Sequence, residues 1–179
     1  MGVLLTAKGA ALLLIDLQER LVPAIHDGER MVGRAGRLAE AARLLDVPVL
    51  ATEQYPKGLG PTVGQLTAYP RATLEKTMFS AADAPGFAAL VPAGTREIVI
   101  AGCETHVCVL QTALGLLGSR YRVILAADAA GSRHLADHDA AVERVRQHGA
   151  EVVTTEMVIF EWLRDAKHPA FREAQQLVK

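Results

Sequence analysis

The stretch REIVIAGCETHVCVLQTA, residues 96–113, decides how this chain is read. A β-branched apolar run, REIVIAG, ends in a glycine, and a helical pattern opens at about Thr105 and runs to about 118. A strand that is apolar on both faces belongs inside a parallel sheet covered by helices on both sides. Cys103 falls in the turn and Cys108 about one turn into the helix. The start of a helix offers unpaired N–H groups and a partial positive charge, which lower a thiol pKa and can receive an oxyanion. The alternative is that both cysteines are small apolar residues buried in a core.

Working outward, the same alternation recurs. AALLLID (10–16) precedes a helical pattern at 30–46, and VPVLAT (47–52) leads into the Gly/Pro-rich loop EQYPKGLGPTVG. A weaker strand, ATLEK, lies at 72–76. YRVILAAD (121–128), a helix at about 135–148 closed by Gly149, and EVVTT (151–155) follow, with helical stretches near 156–164 and 169–178. The pattern predicts one α/β domain over residues 1–179, a three-layer αβα arrangement with a doubly wound, mostly parallel sheet of about six strands in the order 3-2-1-4-5-6.

Composition narrows the function. The 179 residues carry 19 Lys and Arg against 20 Asp and Glu, a formal net charge of −1, so no basic surface argues for nucleic acid. GAALLLI at 9–15 is far short of the roughly 20 apolar residues that cross a bilayer. Two cysteines make no disulfide framework, and a reducing, cytoplasmic setting is the expectation. MGVLLT has the loose spacing of a myristoylation signal at Gly2, set against a plain lead-in to the first strand.

In an open parallel sheet, ligands bind beyond the carboxyl ends of the strands. Those ends read Asp16, Thr52 with Glu53, Lys76, Gly102 leading to Cys103 and Cys108, and Asp128. Asp16, after four large apolar residues, must be paired or take a proton; the plain alternative is a helix N-cap for residues 17–24. Lys76 could equally be a solvated strand terminus. Taken together, a thiol, a carboxylate and an ammonium on one edge constitute a nucleophile, a base and a charge-stabilising group. On that reading Cys108 should outpace a free thiol in alkylation at pH 7. The four residues between the cysteines do not suit a redox C-x-x-C pair, and the histidines follow no zinc spacing.

At this point the chain resembles the isochorismatase-like cysteine hydrolases, a group that includes nicotinamidases and N-carbamoylsarcosine amidase. ALLLIDLQ looks like the family's first-strand aspartate motif, LEKTMFSA its lysine motif, VIAGCETHVCVLQTA its nucleophile motif, and AADAAGSR the segment after the fifth strand. The resemblance implies a triad of Asp16, Lys76 and Cys108, a cis peptide between Cys103 and Glu104, and an oxyanion hole from the backbone N–H groups of Glu104 and Cys108. It implies hydrolysis of an amide-type C–N bond through a thioester, and a homo-oligomer, dimer or larger, for which the IFEWL segment could supply an interface.

Two departures shape the expectation. Nicotinamidases carry an aspartate–histidine metal site after the second strand, where this chain reads TEQYPKGLG with no histidine between His26 and His106, so no metal and no cofactor are expected. The named isochorismatases lack the nucleophilic cysteine, so Cys108 argues against their vinyl-ether reaction. A small-molecule substrate would meet Gln18, Glu53, Tyr55, Phe79 and Thr105, although Phe79 also reads as core and Glu53 as a solvated loop end. His106 is a secondary candidate base, and Asp128 and Ser132 read as caps before the next helix. A non-catalytic binding or assembly module on the same fold, and a thiol redox protein using Cys108, are the competing readings.

Overall fold

In a computed structural model, which describes residues 2–179, six parallel strands pair in the order β3-β2-β1-β4-β5-β6. They are β1 Ala10–Ile15, β2 Val49–Gln54, β3 Ala72–Lys76, β4 Glu97–Cys103, β5 Arg122–Gly131 and β6 Glu151–Val153. The helices are α1 Gly28–Leu44, the short α2 Pro56–Leu59 and α3 Phe87–Leu90, then α4 Leu110–Leu117, α5 Leu135–Gln147, α6 Thr155–Leu163 and α7 Phe171–Gln176. Both the strand number and the order match the sequence reading.

The sheet is central because its middle strands have no polar face. All six residues of β1 are buried, and successive side chains point to opposite faces. Leu12 and Leu14 join a cluster with Met31, Ala35 and Leu38 of α1 and Trp162 of α6. Leu13 and Ile15 join the opposite cluster, with Val109, Ala113 and Leu116 around α4 and Val145 of α5. Each leucine withdrawn in this way contributes on the order of 2 kcal/mol.

Several boundaries move, and two moves matter for function. β2 starts after Pro48 and runs two residues beyond Thr52, so that Gln54 pairs with Lys76 while Thr52 pairs with Ile15 on the other side. β5 extends past Asp128 to Gly131 through a register shift between the pairs Ile100–Leu125 and Gly102–Ala130. Gly102 has φ of 132°, and a Cβ there would lie 2.1 Å from the carbonyl oxygen of Ile15. Only glycine lets β4 approach β1 this closely at the strand ends.

Candidate active site

Asp16 leaves β1 with φ of 52°, a left-handed conformation that aspartate adopts more readily than most residues. It caps no helix: the next helical turn, Val22–Ala24, begins six residues later. The side chain instead turns into the protein, with the residue fully buried. Oδ1 accepts the Thr52 hydroxyl at 2.6 Å and Oδ2 accepts Lys76 Nζ at 2.8 Å. Lys76 is likewise enclosed, its side chain 1% exposed, which sets aside the solvated-terminus reading. Its ammonium donates to Asp16 Oδ2, to Gln54 Oε1 at 2.7 Å and to the Phe79 carbonyl at 3.3 Å. A buried ion pair is tolerable only when its remaining donors and acceptors are met, and here all three ammonium directions are.

Cys108 lies not in the first turn of an α-helix but inside a π-helical turn, Thr105–Val109, that precedes α4. It is buried. Burial, and then the Asp16 carboxylate, push its thiol up to about 12, with the Lys76 ammonium opposing them. The expectation of a lowered thiol pKa is therefore reversed: removal from water and a neighbouring negative charge outweigh both the lysine and the helix start. At rest Cys108 is a neutral thiol. Cys103 is further removed from ionisation by burial and by Asp16, and its Sγ–H donates to the Asp16 carbonyl at 3.3 Å. The peptide bond between Cys103 and Glu104 is cis.

Three consecutive side chains tie the turn to the segment after β5. Glu104 Oε2 accepts from Arg133 Nε at 2.9 Å and from its backbone N–H at 3.2 Å. Thr105 Oγ1 sits 3.0 Å from His138 Nδ1, so this hydroxyl is used across the fold and caps nothing. His106 Nδ1 lies 2.9 Å from Ser132 Oγ. Asp128 Oδ1 accepts the backbone and hydroxyl of Thr155, so it secures the start of α6 instead of a turn before α5.

The other site candidates have distinct placements. Gln18 is fully buried, and its amide bridges the Gly60 carbonyl, at 2.7 Å, and both backbone groups of Gln54. Glu53 Oε1 accepts the N–H and hydroxyl of Thr62, each at 2.7 Å, which pins the loop after β2. Tyr55 is exposed and lines a cavity of about 410 Å3 together with Lys57, Glu75, Lys76 and Met78. Phe79, whose carbonyl holds Lys76, is itself 52% exposed, which overturns its core reading. Sequence reasoning passed over Gln54; the available signal was its two-residue spacing from Thr52, which puts both side chains on one face of β2. Among the described residues no group of three His, Cys, Asp or Glu side chains could hold a metal ion, and no helix is long and apolar enough to cross a membrane.

The arrangement brings a thiol, a carboxylate and an ammonium together at one edge of the sheet, and the comparisons with known proteins place the chain in a family. The chain belongs to the isochorismatase family, whose Isochorismatase domain matches residues 10–157. It is 41% identical over 181 aligned residues to isochorismatase domain-containing protein 2A of Mus musculus, spanning 96% of this chain and 84% of that protein. The solved structure of MAR1 ribonuclease from Caenorhabditis elegans superposes with a TM-score of 0.91 at 35% identity, covering 97% of this chain and 91% of that one. YcaC from Pseudomonas aeruginosa, solved with hexane-2,5-diol and covalent acrylamide, gives 0.85 at 26%, covering 98% and 97%. Family and fold support a hydrolase.

Proposed function

We propose that this protein is a cysteine hydrolase of small amide-type substrates, with Cys108 as nucleophile, Asp16 as proton acceptor and Lys76 as the cation that keeps Asp16 in place. The observation that carries this reading is the buried, fully bonded Asp16–Lys76 pair acting in opposite senses on one enclosed thiol. In the attack step the Cys108 proton passes to Asp16 as the sulfur bonds to the substrate carbonyl carbon. The carbonyl oxygen, now an oxyanion, is received by the backbone N–H groups of Glu104 and Cys108. As the C–N bond breaks, Asp16 returns the proton to the leaving nitrogen. Water, giving a proton to Asp16, then attacks the thioester, and as the C–S bond breaks Asp16 passes that proton to the leaving sulfur, releasing the acid and restoring the thiol and the carboxylate.

A thiol at about 12 makes the order of events specific. Little thiolate exists before substrate arrives, so proton transfer accompanies attack. The covalent acrylamide described for the Pseudomonas relative lends support, since it shows that protein holding a covalently bound amide compound. Neither Cys103 nor any C-x-x-C spacing favours the redox reading.

The ribonuclease name of the Caenorhabditis relative supplies a second substrate class to be tested. Against it here stand the net charge of −1 and a site ammonium whose three donors are already used. The deciding experiment incubates the protein with a panel of primary amides, ureas, carbamoyl compounds and a short RNA. Mass detection of an acyl group on Cys108, with release of ammonia or amine that Cys108→Ala abolishes, is the expected result. Full activity in Cys108→Ala, or RNA cleavage alone, would end the amidase reading. The expected oligomer is proposed on the same footing; Ile159, Trp162 and Leu163 of the IFEWL segment are buried within the chain, so Phe160 alone of its apolar residues is exposed to a partner, and light scattering of the intact chain decides the state.

A further inference from the structure

The sheet order places β2 between β1, which delivers Asp16, and β3, which delivers Lys76. The two catalytic side chains thus meet over the end of a strand that contributes neither. That strand is not a passive spacer. Thr52 pairs in register with Ile15, one residue before Asp16, and Gln54 pairs with Lys76 itself. With alternate residues sharing a face, Thr52 and Gln54 both reach the ion pair, one at each end.

The bonds divide between the two partners. The Thr52 hydroxyl donates to Asp16 Oδ1, leaving Oδ2 for Lys76, so both carboxylate oxygens are orientated. Gln54 Oε1 accepts from Lys76 Nζ, while Gln54 Nε2 donates to the Thr77 carbonyl at 2.7 Å, which fixes which end of the amide faces the ammonium. Gln54 is held in turn by Gln18, whose amide bonds both its N–H and its carbonyl. A neutral acceptor matters here. It satisfies a third ammonium N–H without adding a second negative charge beside Asp16 and the thiol.

We infer that Thr52 and Gln54 are positioning residues that clamp Asp16 and Lys76 from β2, Gln54 holding in place the ammonium that faces the Cys108 thiol. The inference rests on the hydrolase reading for its kinetic arm alone. Thr52→Val, which keeps the shape and removes the hydroxyl, lowers kcat by about tenfold with KM little changed, the kinetic equivalent of one charged hydrogen bond, and Thr52→Ser restores it. Gln54→Met withdraws an acceptor from a buried ammonium, which is then held less firmly beside the thiol, so iodoacetamide labels Cys108 about tenfold more slowly at pH 9. Gln54→Glu keeps an acceptor oxygen but adds a negative charge beside Asp16 and the thiol, so it does not restore wild-type labelling.

Labelling is read by mass on the intact chain, with circular dichroism and thermal melting confirming that each variant is folded. Should Gln54→Met not fold, Gln54→Asn, which draws the amide back by one methylene, is read in the same way. Wild-type labelling in a folded Gln54 variant, or failure of Thr52→Ser to recover what Thr52→Val loses, overturns the clamp. The labelling arm needs no turnover, so it decides the clamp even where Cys108→Ala proves the hydrolase reading wrong.

Discussion

The carboxyl edge of the sheet has two halves built on different terms. On the β1–β2–β3 side, Asp16, Thr52, Gln54 and Lys76 close on one another with bonds of 2.6–2.8 Å, and Asp16, Thr52 and Lys76 are buried. On the β4–β5 side, the turn bearing Cys108 is tied by Glu104–Arg133, Thr105–His138 and His106–Ser132, longer contacts of which two involve imidazoles. One half sets charge and is costly to disturb; the other sets the place of the Cys108 thiol and yields to pH and to surface changes. The thiol sits at their junction, which is why neighbouring charges dominate its ionisation.

The largest expected effect tests that junction. With the thiol at about 12, Cys108 should be alkylated on the order of 10³-fold more slowly than a free thiol at pH 7, with a rate still climbing beyond pH 10. A plateau below pH 9 in a stopped labelling series would break the account of the junction. Next comes the rigid half. Lys76→Met strands the buried Asp16 charge and should cost roughly 3–5 kcal/mol in urea denaturation at pH 7, and adding Asp16→Leu should recover most of the loss. A single-variant loss below about 1 kcal/mol would mean that this half is not the stiff one.

The softer half gives smaller effects. Burial lowers the pKa of His138, with Asp139 opposing, so the unfolded chain binds this proton more readily than the folded one. The contribution of its neutral form is complete above about 6.5 and is lost as pH falls through the lower folded value. Wild type should therefore lose more stability between pH 8 and pH 5 than His138→Gln, measured by urea midpoints; equal losses would remove the imidazole from the comparison. Smallest of all, Arg133→Ala removes a half-exposed partner of Glu104 and should cost less than about 1 kcal/mol.

Much of this was legible in the chain because strands buried on both faces announce themselves as unbroken apolar runs, and the polar residues that end them stand out. β3 begins and ends where ATLEK does, and Asp16, Lys76 and Cys108 reach one edge because parallel strands deliver their carboxyl ends together. What was hidden depends on register and depth. Gln54 reads as loop until β3 extends β2 beside it. Thr105 reads as a cap until α5 brings His138 within reach. The direction of the Cys108 shift needed the distance to Asp16 and the loss of water, neither of which a helix start implies.

The contact between Gly102 and the Ile15 carbonyl has a further consequence for how such a site can diverge. Because no side chain fits at 102, neither a lineage nor an engineer can adjust the seam between β1 and β4 at that point. The opposite bank, residues 55–62 and 77–85, offers more room, since Tyr55, Met78 and Phe79 stand exposed there. The seam is closed to novelty, whereas the exposed side chains of that shoreline are open to it.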